Sequence, residues 1–557
     1  MRLPIGYDNF ADIRENKFDF VDKSLLIKEL LDETFQVVLI TRPRRFGKTL
    51  NLSMLQHFFT AQIYGKSTSK LFDGLKISRC GEKYTQHQGK YPVIFITFKD
   101  IKDGKFVTAY EKLRNLLAKS YREHQYLLSS DKLTEVEKRK YLSVLEEQIS
   151  EANIQSALQD LSYYLFQHYG EKVWLLIDEY DTPLQAAYFH GYLQPMLEMM
   201  RGIFSMALKT NSYLKRAVLT GILKIAKENL FSDLNNLIAY SLLNSEYGQY
   251  FGFTEEEMED ILHRSGLQEK AQQIRNWYNG YQVGDVVVYN PWSIANCLKN
   301  NGALQPYWVN TSGNELIKQL LAQSDENVKN DFQMILEGKS IEATINPNIV
   351  FNDLGKDSDS LYSLLLLSGY LKATRCEHQG LKFQCILTPP NQEVSLLYPD
   401  IITYWFSESM TKKGYESFLK ALVQGRIEEF TARLQDYLLE SFSFFDVKGN
   451  RPEIFYHGFV LGLVVGLKET HEVKSNRESG YGVYDVMLIP KDNNQLGLIL
   501  EFKTVRSADQ DLKESASKAL QQIKERGYAA ELQQKGIQKI LSVGLAFRGK
   551  QVMILAE

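Results

Sequence analysis

The chain lacks the features that would place it in several large protein classes. Its longest apolar runs, such as VWLLI at 173–177 and LLLL at 364–367, fall far short of the ~18–20 residues a membrane span needs. No signal-like segment opens the N-terminus, so no membrane association and a cytoplasmic location are expected. Cysteine is scarce: Cys80, Cys297, Cys376 and Cys385 form no C-x-x-C pair, which argues against a zinc site and a disulfide framework and predicts isolated thiols. A basic footprint is also missing. With a formal net charge of −3 the chain is not built to coat nucleic acid, so any such contact must be local. What remains is ordinary globular material, 44% hydrophobic over 557 residues, enough for roughly three to four domains.

The most informative stretch is VVLITRPRRFGKT at 37–49, a short apolar run ending in a glycine, a lysine and a hydroxyl. It reads as a buried strand entering a phosphate-binding loop. Gly47 lets backbone approach a polyphosphate, and the helix that follows offers unpaired N–H groups and the positive end of its dipole. Lys48 would reach the β- and γ-phosphates of ATP, and the Thr49 hydroxyl would hold Mg²⁺. Arg42 stands where G-x-x-x-x-G-K-[ST] places its first glycine. Three roles stay open for Arg42, Arg44 and Arg45: gripping phosphate, where Arg45 is counted with the nucleotide ligands, pairing with acids of a neighbouring subunit, or shaping the loop.

KVWLLIDEYD at 172–181 supplies the partner, an acidic end on a buried parallel strand. Asp178 would serve Mg²⁺, and Glu179 would orient and polarise the attacking water. RAVLTGI at 216–222 is a further strand, whose Thr220 could sense the γ-phosphate. YPVIFITF at 91–98 is another, and a long, charged helical region is expected from about Phe106 to Tyr169. Strands alternating with helices predict an α/β protein with a doubly wound parallel sheet.

The ordered set RPRRFGKT, LLIDEYD, LTGI, FSDLNNL, YFGFTEEE, WYNGY and YNPWS resembles the family of bacterial and archaeal AAA-ATPase-like proteins, whose members often carry a nuclease-like C-terminal domain. The resemblance covers nearly all of the chain, and the arginine-rich loop is the usual form in those relatives. Lys224 falls where the resemblance leads one to expect an arginine. An arginine finger is therefore not assigned; Arg201 and Arg216 are candidates, and a finger supplied in trans would require a homo-oligomer.

The expected order is a P-loop ATPase core at 1–245, a helical lid at 246–310, a winged-helix-like region at 311–410, a helical connector at 411–445 and a nuclease-like domain at 446–557. In the lid, Trp277, Tyr278, Tyr281 and Trp292 are expected to be core rather than ligand contacts. In the middle region a helix, LYSLLLLSGYLKA, precedes two β-rich pieces, FQCILT and EVSLLY, joined across Pro389-Pro390-Asn391. The connector carries Phe430, Leu434 and Leu438 as one apolar stripe.

The last hundred residues hold a second constellation. VYDVMLIP at 483–490 and LGLILEFKTV at 496–505 are strands joined by a polar turn. Residues two apart on a strand face the same way, so Glu501 and Lys503 meet one site while Phe502 faces the core, and Asp485 on the neighbouring strand completes it. The pattern resembles the D…E-x-K signature of the PD-(D/E)XK nuclease superfamily, a restriction-endonuclease-like α/β fold. The resemblance adds Glu453, the extra acid of many relatives, and Gln522 with Tyr528 on the following helix. Asp485, Glu501 and Glu453 would hold Mg²⁺ or Mn²⁺ for cleavage of DNA or RNA, with Lys503 orienting water or neutralising developing charge.

Two readings of the whole follow. One is an ATPase that controls a metal-dependent nuclease. The other is a nucleotide-switched signalling or defence scaffold whose nuclease-like domain binds nucleic acid without cutting it. A helicase-like motor is disfavoured, for want of a second motor domain or an aromatic-studded groove.

Overall fold

A computed structural model describes residues 2–209, 211–224, 230–231, 234–308, 339–348, 353–354, 357–398, 412–441, 470–479, 482–505 and 510–557, with isolated positions between 317 and 335 and between 460 and 467. The chain divides into two compact units, one of residues 1–311 and 342–393, the other of 312–341 and 394–557.

The first unit is built on five parallel strands, β1 (Val37–Thr41), β2 (Val93–Thr97), β3 (Val173–Asp178), β4 (Leu214–Gly221) and β5 (Leu237–Tyr240), in the order β2-β3-β4-β1-β5. β1 and β3 are buried at every residue, which is why they read as unbroken apolar runs rather than alternating ones. Ahead of β1 lies α1 (Leu25–Asp32), and after it α2 (Lys48–Phe59). The expected long helical region is three helices, α3 (Phe106–Glu123), α4 (Glu135–Leu145) and α5 (Glu151–Tyr169). The breaks follow local chemistry: Thr134 and Glu137 form a reciprocal capping box, and Ser150 caps α5. α6 (Thr182–Phe189) and α7 (Leu193–Phe204) lead to β4.

Beyond β5 the expected helical lid contains α8 (Glu255–Ser265), α9 (Ala271–Tyr278) and α10 (Pro291–Lys299), but also a hairpin, β6 (Tyr281–Val283) with β7 (Val286–Val288). The β-branched run QVGDVVV around the Gly284-Asp285 turn overrides the helical reading there. Met258, Ile261, Ile274, Tyr278 and Ile294 form its own small core.

A three-stranded sheet follows, with β8 (Ile341–Ile345) beside β10 (Lys382–Thr388), which pairs with β9 (Lys372–Gln379); α11 (Ser358–Leu367) lies between β8 and β9 in the chain. The hairpin was expected one step later. EVSLLY is helical at Gln392–Ser395, and the true partner of FQCILT is the preceding KATRCEHQ. In that register Cys376 faces Cys385, and the two form a disulfide, correcting the expectation of isolated thiols.

In the second unit the expected continuous connector is two helices, α12 (Lys412–Val423) and α13 (Ile427–Ser441), with Phe430, Leu434 and Leu438 fully buried as one stripe. Gln435 holds α13 to the last hairpin by bonds to the Lys550 carbonyl at 2.7 Å and the Val552 amide at 3.0 Å. The five-stranded sheet is mixed, β11 (His471–Ser479), β12 (Gly482–Pro490), β13 (Gly497–Thr504), β14 (Ile540–Arg548) and β15 (Gln551–Ala556) in chain order. Only β13 and β14 run parallel, and α14 (Leu512–Arg526) lies in their crossover. Among the described residues no helix is long and apolar enough to cross a membrane.

Candidate functional site

The loop after β1 ends at Gly47, which takes a left-handed conformation (φ 77°) as the cap of α2 and so favours glycine. Lys48 is buried, and its ammonium donates to the carbonyls of Arg42 at 3.0 Å and Pro43 at 2.9 Å. Burial lowers its pKa, opposed by the charges of Glu179, Asp178 and Asp181. Thr49, in the first turn of α2, donates to Asp178 Oδ2 at 2.7 Å. Asp178 Oδ1 accepts from the Thr220 hydroxyl at 2.6 Å.

Strand order explains this chain of contacts. β4 lies between β1 and β3, so Thr220 on the middle strand stands beside the acid of β3, and Thr49 reaches that acid from the helix after β1. Asp178 is fully buried; desolvation raises its pKa and the two hydroxyls oppose the rise. A hydroxyl and a carboxylate are hard oxygen donors of the kind Mg²⁺ takes. Glu179 follows with a left-handed backbone (φ 51°), and its carboxylate accepts from the Thr182 hydroxyl at 3.1 Å.

Arg42 has a structural role. Its guanidinium is wholly buried and donates to the carbonyls of Thr41, Tyr240, Ser241 and Glu246 at 2.8–3.2 Å, stitching the loop to the carboxyl end of β5. Burial brings its pKa down to about 9, so it remains a cation at neutral pH. Arg45 is exposed, with φ 67° and its guanidinium 4.4 Å from the centre of the Trp292 ring. Arg216, a candidate finger, lies near the amino end of β4, the end opposite Thr220. There it donates to the Leu30 carbonyl in the last turn of α1 and to the Glu33 carbonyl at its C-cap, a helix-capping role. Arg201 is on α7.

Two residues the sequence reading missed shape this site. Asp181 is buried, and its Oδ2 accepts from the amides of Ile222 at 3.0 Å and Leu223 at 2.9 Å, fixing the turn after β4. Gly221 permits that approach, because a Cβ there would lie 2.6 Å from Asp181 Oδ1. The signal was present in DEYD: an acid three residues beyond the strand-end acid, with a glycine directly after Thr220.

In the second unit Asp485, Glu501, Lys503 and Gln522 come together as expected. β12 and β13 pair antiparallel, and Asp485 Oδ2 accepts from the Phe502 amide at 2.8 Å, which holds it beside Glu501. Glu501 Oε1 accepts from Lys503 at 3.4 Å and from the Gln522 side-chain amide. Lys503 also donates to Gln522 Oε1 at 2.8 Å, and Gln522 reaches the Tyr528 hydroxyl at 3.3 Å. Glu501 is 2% exposed, and its second oxygen accepts no hydrogen bond from any described residue. Burial first, then the nearby Asp485 charge, pushes its pKa up to about 7. A buried carboxylate with an orphaned oxygen beside a second acid is short of positive charge, and a divalent cation fits that deficit. Glu453, the third expected acid, lies outside the described residues, and among those described no set of three His, Cys, Asp or Glu side chains gathers.

Comparison with known proteins follows this division. The chain is 25% identical over 547 residues, 96% of its own length and 94% of the relative's, to the uncharacterized protein in vnfD 5'region of Azotobacter chroococcum mcd 1. Residues 4–231 match the family described as predicted AAA-ATPase, and residues 451–557 match the PD-(D/E)XK nuclease superfamily. The N-terminal segment is thus similar to the predicted AAA-ATPase family and the C-terminal segment to the PD-(D/E)XK nuclease superfamily.

Proposed function

We propose that the protein binds and hydrolyses ATP at the loop of Gly47, Lys48 and Thr49, and that this activity controls a metal-dependent nuclease centred on Asp485 and Glu501. In the ATP site, Lys48 would exchange its bonds to the loop carbonyls for phosphate oxygens, and Thr49 with Asp178 would hold Mg²⁺. Thr220 keeps Asp178 aimed, and Glu179 is the candidate for orienting the attacking water. In the nuclease site, Asp485 and Glu501 would hold Mg²⁺ or Mn²⁺, which when bound polarises the phosphodiester and acidifies its water. Lys503 and Gln522 hold Glu501 Oε1, which leaves Oε2 for the cation, and Lys503 offers positive charge to the phosphate.

The observation that carries the nuclease reading is the orphaned Glu501 oxygen, because no described residue satisfies it. DNA or RNA is the proposed substrate, and residues 1–245 are proposed as the ATPase core. The test is a panel of single- and double-stranded DNA and RNA, with Mg²⁺ or Mn²⁺ and with or without ATP. Wild type is expected to cleave at least one form, Asp485→Ala none, and Lys48→Ala with an altered ATP response. If wild type cleaves nothing under any of these conditions, the nuclease reading fails.

A further inference from the structure

Glu393 lies outside both sites, yet its carboxylate is completely buried in the first unit. Its two oxygens take separate partners. Oε1 accepts from the Trp308 backbone amide at 2.6 Å, and Oε2 from the Ser293 hydroxyl at 2.7 Å. Each partner leads to the phosphate-binding loop. The Trp308 indole N–H donates to the Arg44 carbonyl at 3.1 Å, and its ring packs against Tyr370 and Tyr281. Tyr281 in turn meets the ring of Phe46. On the other side Ser293 is next to Trp292, whose ring carries the Arg45 guanidinium, and Asn290 fixes both by accepting from their amides.

One buried acid thus ties together two elements that hold consecutive residues of the loop. The grip on Arg44 has a directional effect. In a trans peptide the carbonyl of one residue and the N–H of the next point opposite ways, so holding the Arg44 oxygen sets where the Arg45 amide points. Loops of this kind bind phosphate through such amides. Burying a carboxylate costs free energy unless every oxygen is satisfied, and here the satisfaction comes from the elements that clamp the loop.

The place of these residues in the chain adds a second consequence. The first unit is left by the chain after residue 311 and again after residue 393. Trp308 and Glu393 stand just before those two exits, and the bond between them joins the exits to each other.

Resting on the nucleotide reading above, we propose that Glu393 and Trp308 are positioning residues for the phosphate-binding loop, and that they couple its occupancy by nucleotide to the two points where the chain leaves the ATPase unit. Trp308→Phe keeps a ring against Tyr281 and Tyr370 but removes the donor to Arg44. Glu393→Gln keeps an acceptor for the Trp308 amide, whereas Glu393→Ala keeps neither bond.

The experiment uses the full chain, a fluorescent ATP analogue with Mg²⁺, and amide hydrogen exchange read by mass spectrometry. Trp308→Phe and Glu393→Ala are expected to weaken analogue binding about five-fold or more, the lower end of ordinary coupling between sites, with circular dichroism unchanged. Glu393→Gln is expected to stay near wild type. In wild type the analogue should slow exchange at 42–49 and also at 305–308 and 388–393; in Trp308→Phe only the first segment should respond. Should Glu393→Ala not fold, Trp308→Phe and Ser293→Ala carry the test. Wild-type affinity in folded Trp308→Phe, or wild-type protection confined to 42–49, overturns the inference. Failure of the nucleotide reading has a different signature: wild type itself does not bind the analogue, and Lys48→Ala is indistinguishable from it.

Discussion

Replacing Glu501 by glutamine should make the metal-free protein more stable while abolishing nuclease activity. Glutamine keeps an oxygen for Lys503 and Gln522 and places an amide N–H₂ beside Asp485, where the carboxylate now has an orphaned, repelled oxygen. The magnitude follows from proton linkage. Glu501 is raised from 4.5 to about 7 in the folded chain, so the native state holds its proton more tightly than the unfolded state does. Stability is therefore greatest where both states are protonated and falls as pH rises from about 4.5 through about 7. Above that window the ionised carboxylate costs on the order of 3 kcal/mol, taking ~1.4 kcal/mol per pH unit. Glutamine does not titrate. Its advantage over wild type should grow from roughly 1 kcal/mol or less near pH 5 to roughly 3 kcal/mol near pH 8. The assay is pulse-labelling hydrogen exchange across a urea series in chelator, read on peptides of β13 and β14 at both pH values. A variant less stable than wild type near pH 8, or an advantage independent of pH, would refute the reasoning. Mg²⁺ added near pH 8 should stabilise wild type and leave Glu501→Gln unmoved.

Three further outcomes are expected. Arg42→Met should destabilise the first unit by about 3–5 kcal/mol in urea unfolding, because it removes the donor to three buried carbonyls and to the partly buried one of Glu246; a loss under about 1 kcal/mol contradicts the stitching role. Thr220→Val keeps the shape of β4 but removes a donor from Asp178, so ATP turnover should fall about tenfold with folding intact, and unchanged turnover would separate Thr220 from the site. Gly221→Ala should cost roughly 1–3 kcal/mol by thermal unfolding, because its Cβ would press on Asp181 and on the Tyr180 ring, and a neutral result would show that the turn after β4 yields.

The parts of this fold that sequence carried were those whose physics is local. β1 and β3 announced themselves because strands buried on both faces are apolar throughout, and the spacing of Glu501 and Lys503 already implied a shared face. The role of Arg42 was not readable, since three of the four carbonyls it bonds lie some 200 residues further on and belong to the backbone, which leaves no side-chain signature. Arg216 looked available for the same reason: its partners are backbone carbonyls at the C-terminal end of α1. The disulfide depended on register. Cys376 and Cys385 are placed symmetrically about the Gly380-Leu381 turn, but that becomes visible only once KATRCEHQ is taken as a strand. EVSLLY misled because a short apolar run suits strand and helix equally, and the buried bonds of Glu393 belong to the helical form.

The order β2-β3-β4-β1-β5 also bears on how the protein comes into being. β1, β2 and β3 leave the ribosome first, yet the place between β1 and β3 belongs to β4, and three of the four carbonyls that receive Arg42 arrive only with residues 240–246. The nascent sheet must admit a late strand at its centre, a non-local closure of the kind that slows folding. Gly47, Lys48 and Thr49 are synthesised early and wait for Thr220 to place Asp178. Occupancy by ATP would then mark a chain translated well past its first two hundred residues.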